Sequence, residues 1–130
     1  MDFLINLLTL LIVGYILGSE RANSHNLIGI RTVTLILLGS FIFTYISTRI
    51  GGDPARIVAQ VVTGTGFIGA GIIFKDGIKN VYNLTTAVLV WVLAALGCLI
   101  SLSFIIESLV ITAIIYIVLK IYKKTFNYDR

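Results

Sequence analysis

Along this chain the apolar positions come in blocks and do not alternate with polar ones. Apolar runs occupy residues 3–18, 33–48, 57–74, 84–100 and 102–119, parted by short polar segments. In hydrocarbon only helices and closed barrels satisfy their own backbone, and continuous runs lack the two-residue period of barrel strands. Each run falls at the short end of the ~20 residues a helix needs to cross a bilayer. The pattern predicts an all-α fold over residues 1–130. It is a single membrane domain of about five short transmembrane helices in a compact bundle, followed by a basic tail at 120–130.

Composition points the same way. The chain is 58% hydrophobic and only 12% charged, with one proline and a mean hydropathy of +1.02. Soluble domains carry about 25% charged residues. A globule of 130 residues leaves too much of its surface exposed to hide so much apolar area, so lipid is the expected first partner. The start Met1-Asp2-Phe3 lacks a basic leader segment. The first run ends in Ser19-Glu20-Arg21 rather than at a small-residue cleavage site, so it is expected to be retained.

Charge supplies a direction. Every lysine and arginine lies in the first loop, the third loop or the tail, except Arg49 and Arg56. The positive-inside rule then puts the N-terminus outside and the C-terminus in the cytoplasm. The net charge of +4 is spread in ones and twos, which fits loop signals and no nucleic-acid partner. Ser101-Leu102-Ser103 is short enough to predict a tight antiparallel pair of helices four and five. Glu107, about one turn further on, is read as reaching water at the outer interface. Cys98 and Trp91 read as packing residues.

The octet "GTGFIGAG", Gly64 to Gly71, contains G-x-G-x-x-G. A dinucleotide cradle needs a strand before it, a soluble helix after it and an acidic residue about 20 positions on. Here apolar residues flank it on both sides, and Asp76 comes too soon. Small residues instead let membrane helices approach closely. Gly64, Gly66, Gly69, Ala70 and Gly71 predict a packing surface that makes helix three central, and Gly14-x-x-x-Gly18 predicts a second close contact. Arg56, Gln60 and Thr63 fall at i, i+4 and i+7, on one polar face of helix three. That face suits either interhelical hydrogen bonds or a polar pocket open to the outer side.

The segments "GYILGSER" (14–21), "GIRT" (29–32), "RIVAQVVTGTGFIGAGIIFKDG" (56–77) and "NLTTAVLVWVLAALG" (83–97) together resemble the MgtC/SapB family of prokaryotic membrane proteins. The resemblance covers most of the chain. It implies a multi-pass protein of the prokaryotic cytoplasmic membrane, in a membrane-only form without the soluble C-terminal domain of longer members. It further implies a link to magnesium-limited growth and to virulence, and contact with the rotary ATP synthase. The family pattern falls on Glu20, Arg21, Arg31, Arg56, Gln60, Asp76, Thr85 and Thr86.

With the topology above, Glu20, Arg21, Arg31, Lys75, Asp76, Asn83, Thr85 and Thr86 form a polar cluster at the cytoplasmic helix ends. Glu20 and Asp76 are expected to pair with Arg31 and Lys75, and Asn83, Thr85 and Thr86 to cap the fourth helix. Independent interfacial anchoring explains the basic members equally well. Mg²⁺ wants several hard oxygen ligands, whereas the carboxylates are scattered as Asp2, Glu20, Asp53, Asp76, Glu107 and Asp129. No metal site or cofactor is therefore expected, an association with Mg²⁺ staying open without an assigned site. No nucleophile–base pair suggests an enzyme. The expected function is non-enzymatic helix-to-helix contact, in a homo-oligomer (a dimer through helix one or three) and with another membrane complex. The alternative is a small oligomeric channel or transporter.

Overall fold

Backbone hydrogen bonds in lipid must close within each segment, and every apolar run is accordingly a helix. The computed structural model describes residues 2–23, 28–51, 53–76 and 80–125. Its elements are α1 (Asp2–Asn23), α2 (Ile30–Arg49), α3 (Pro54–Ile72), β1 (Phe74–Asp76), β2 (Asn80–Tyr82), α4 (Leu84–Ser101) and α5 (Ile105–Thr125). Four of the five helices, α1 to α4, are long and apolar enough to cross a membrane. The helices reach past their apolar runs into polar residues that suit helix ends. Asp2 lies in the first turn of α1 and Arg21 in its last, each opposite in sign to the local helix dipole. Asp53 caps α3 by accepting from the Ala55 N–H at 3.0 Å, with Pro54 in the first turn.

Two boundaries differ from expectation. The third run was expected to stay helical to Phe74, but the chain leaves α3 after Ile72 and enters an antiparallel hairpin. Phe74 pairs with Tyr82, Lys75 with Val81 and Asp76 with Asn80. Strands of three residues are too short for alternation to show in a sequence pattern. The fifth helix starts at Ile105 rather than at residue 102, because Leu102 and Ser103 form the turn, Ser103 with a left-handed φ of 65°.

The core lies between α1, α2 and α4. Leu10, Val13 and Leu17 of α1 meet Val33, Leu37 and Phe41 of α2 and Val90, Leu93 and Ile100 of α4. The central helix is α4, which packs on each of the other four. Its closest approach is at Gly97, where a Cβ would stand 2.5 Å from the Leu37 carbonyl oxygen and 2.9 Å from Ser40 Cβ. The Gly14/Gly18 pair works as expected. A Cβ at Gly14 would meet Thr34 Oγ1 at 2.8 Å, and one at Gly18 would meet Ile30 Cα at 2.6 Å.

The expectation that helix three is central is corrected. Only 11% of its membrane window is buried, against 61% for α4. Within one chain Gly69 alone of its glycines packs, against the Ala87 carbonyl, while Gly64, Gly66 and Gly71 have nothing within 4 Å. Small residues permit close approach but exert no pull of their own. α4 has the higher mean hydropathy, 2.2 against 1.3, and a ring of leucines to bury.

Several hydroxyls inside the helices are satisfied locally. Ser40, Thr44, Thr65, Ser108 and Thr112 each donate to the carbonyl four residues earlier. Polar residues are thus carried through the apolar layer at little cost. Cys98 is buried, its thiol directed at the Ser40 carbonyl. Trp91, expected to pack, is half exposed on the outer surface of α4.

Candidate functional site

At one end of the bundle the last turn of α1 meets the first turn of α4. Arg21 is only 6% exposed, and Thr86 only 2%. The guanidinium Nη2 donates to Thr86 Oγ1 at 3.1 Å, and Nη1 stands 3.8 Å from Glu20 Oε2. Arg21 Nε is buried with no hydrogen-bond partner among the described residues. Moving a guanidinium out of water costs several kcal/mol, which only a close counter-charge and good hydrogen bonds offset. Glu20 supplies that charge within α1 and Thr86 the acceptor, so a buried hydrogen bond ties α1 to α4 here. Asn83 sits before α4 in a left-handed conformation with φ 64° and makes no side-chain cap. Its amide instead donates to the Ile72 carbonyl at 3.4 Å, tying the end of α3 to the start of α4.

Residues 7–128 match the model of the MgtC family. The chain belongs to the MgtC family. Among curated relatives, Protein MgtC of Brucella abortus (strain 2308) is 43% identical over 106 residues, covering 80% of this chain and 44% of that protein. Protein MgtC of Salmonella typhimurium (strain LT2) is 38% identical over 114 residues, covering 87% of this chain and 49% of that protein. The chain thus spans about half the length of the curated relatives it matches. No solved structure matches it.

Of the polar cluster expected from the family pattern, the structure unites Glu20, Arg21 and Thr86 and places Asn83 beside them. Glu20 makes no ion pair with Arg31 among the described residues, and the side chain of Lys75, the other expected basic partner, lies outside them. Glu20 faces Arg21, while Arg31 points outward from the first turn of α2 and Thr85 is exposed. Arg21 lies on the face of α1 turned toward α4, and Arg31 does not face inward. The capping role given to Asn83 and Thr86 is corrected too, since both side chains are spent on neighbouring elements. Lys75 and Asp76 have their backbones in β1, at the same end; their side chains, and with them the expected pairing of Asp76, lie outside the described residues. Lys79 and residues 126–130 of the basic tail also lie outside them.

The polar face of α3 stays open. Arg56, Gln60 and Thr63 are all exposed, and Thr63 donates to the Ala59 carbonyl of its own helix. They make no interhelical hydrogen bonds among the described residues. Glu107 is exposed in the first turn of α5, where a carboxylate suits the helix dipole. At the end away from the hairpin, Asn6, Ser101 and Ser103 come together, a grouping sequence reasoning missed. An asparagine inside the first apolar run was the available signal, since intramembrane polar residues are costly without partners.

Proposed function

We propose that this MgtC-family membrane protein is non-enzymatic and works by docking α3 on a transmembrane helix outside its own chain. The proposed setting is the prokaryotic cytoplasmic membrane, with the hairpin end and its basic residues inside. The partner is a second copy or another membrane complex, such as the ATP synthase that the family resemblance implies under magnesium limitation. One observation carries this reading. The helix richest in glycine is the least buried of the four candidate spans, with Gly64, Gly66 and Gly71 beside open space.

Gln60 strengthens it. At ~1.5 Å per residue the amide lies about 9 Å inside the start of α3, exposed and without a hydrogen bond among the described residues. An unpaired amide against hydrocarbon costs several kcal/mol. A partner helix offering an amide or hydroxyl removes that cost while its backbone settles against the glycines.

The test is site-specific photocrosslinking from position 64 or 70 in native bacterial membranes. A protein adduct of discrete mass is expected, reduced about fivefold by Gly66→Leu, the scale of a single membrane-helix contact. Adducts to lipid alone would reject the docking. Robust Mg²⁺ flux by the purified chain in liposomes would favour the channel alternative instead.

A further inference from the structure

Where the first turn of α1, the last turn of α2 and the α4–α5 turn converge, they leave a crevice of about 240 Å³. Asp2, Phe3, Asn6, Tyr45, Arg49 and Ser101 form its working parts. Drug-sized ligands occupy ~300–1,000 Å³, so this volume suits a smaller group.

Its chemistry is two-ended. Arg49 lies over the Tyr45 ring, 5.0 Å from the centroid, which fixes the guanidinium in place. Asp2 lines the same space, yet no ion pair joins the two among the described residues. Helix dipoles account for the sign of charge at each helix end, but not for the polar floor between them. Asn6, 4% exposed, donates to Ser103 Oγ at 2.9 Å. Ser101 is 7% exposed, and its Oγ is buried without a hydrogen-bond partner among the described residues. Other buried hydroxyls here bond to the carbonyl one turn back, as Ser40 and Ser108 do. Ser101, which borders the crevice, does not. Phe3 and Tyr45, with ring centroids 5.0 Å apart, form an aromatic wall suited to an ammonium group.

We infer that this crevice binds a compact zwitterion, its phosphate on Arg49 and its ammonium on Asp2 and the Phe3–Tyr45 wall. An arginine fork matches phosphate oxygens. The matching group is phosphoethanolamine. It is carried by a membrane lipid or free in solution. Leu102, 39% exposed, borders the crevice and offers an apolar edge for the acyl chains of a bound lipid. This site is separate from the α3 face, so either proposal can fail alone.

The test uses the purified full chain in detergent and native mass spectrometry of bound lipid. Phosphatidylethanolamine is offered against phosphatidylglycerol, which has the phosphate without the ammonium, and free phosphoethanolamine is added as competitor. The wild type is expected to retain phosphatidylethanolamine about tenfold better, the scale of one charge-assisted contact. Asp2→Asn should abolish that preference, and Arg49→Gln should weaken retention of both lipids. Both side chains lie at exposed helix ends, and unchanged elution on size exclusion would verify the fold. Displacement by free phosphoethanolamine identifies a soluble zwitterion as sufficient, whereas retention despite it assigns the site to the lipid. Equal retention of the two lipids by the wild type, or a preference that survives both substitutions, would overturn the proposal.

Discussion

α3 and α4 are neighbours that both carry small residues, and they meet opposite fates. α4 has one glycine, Gly97, set among leucines, and it occupies the middle of the bundle with α2 pressed against that glycine. α3 has four, and at three of them an added Cβ would meet nothing within 4 Å among the described residues. Glycine density therefore does not report how central a helix is. It reports how closely some partner could approach, and on the proposed reading the partner of α3 is a helix outside this chain. A membrane helix packs by matching shapes, and a single notch opposite a carbonyl outweighs a smooth face with nothing opposite.

The sharpest way to break this contrast is to fill the notch. Gly97→Leu drives side-chain atoms into the Leu37 carbonyl and should cost more than about 3 kcal/mol, read as loss of the monodisperse species in detergent. Next in size is Arg21→Met, which leaves the Glu20 carboxylate without its guanidinium. A loss of about 3 kcal/mol in chemical or thermal unfolding is expected. Thr86→Val removes only the hydroxyl that accepts from Arg21 and should cost about 1 kcal/mol in the same assay.

At the small end, Gly66→Leu on the open face of α3 should change unfolding by less than about 0.5 kcal/mol, while lowering the crosslinking yield of that face. If Gly66→Leu destabilised the isolated chain as Gly97→Leu does, the contrast between the two helices would be false.

Much of this was legible from the sequence, and the misses are instructive. The apolar blocks marked all five helices, and Gly14-x-x-x-Gly18 marked a real contact between α1 and α2. Positive charge and short polar residues marked the end where Glu20, Arg21 and Thr86 gather. The contact of Glu20 with Arg21 was not anticipated, because adjacent residues on a helix point about 100° apart. The hairpin escaped notice for its brevity, and the Asn6–Ser103 contact because its members are 97 positions apart.

Sequence alone determined that the chain is membrane-embedded, helical and divided where it is. Transfer into lipid and closure of backbone hydrogen bonds depend on what stands within a few residues along the chain. Which helix takes the centre, which glycines are filled, which acid meets Arg21 and where a polar crevice opens were decided only in three dimensions. Those outcomes depend on how each helix is rotated about its axis, and that rotation is a compromise among all the faces at once.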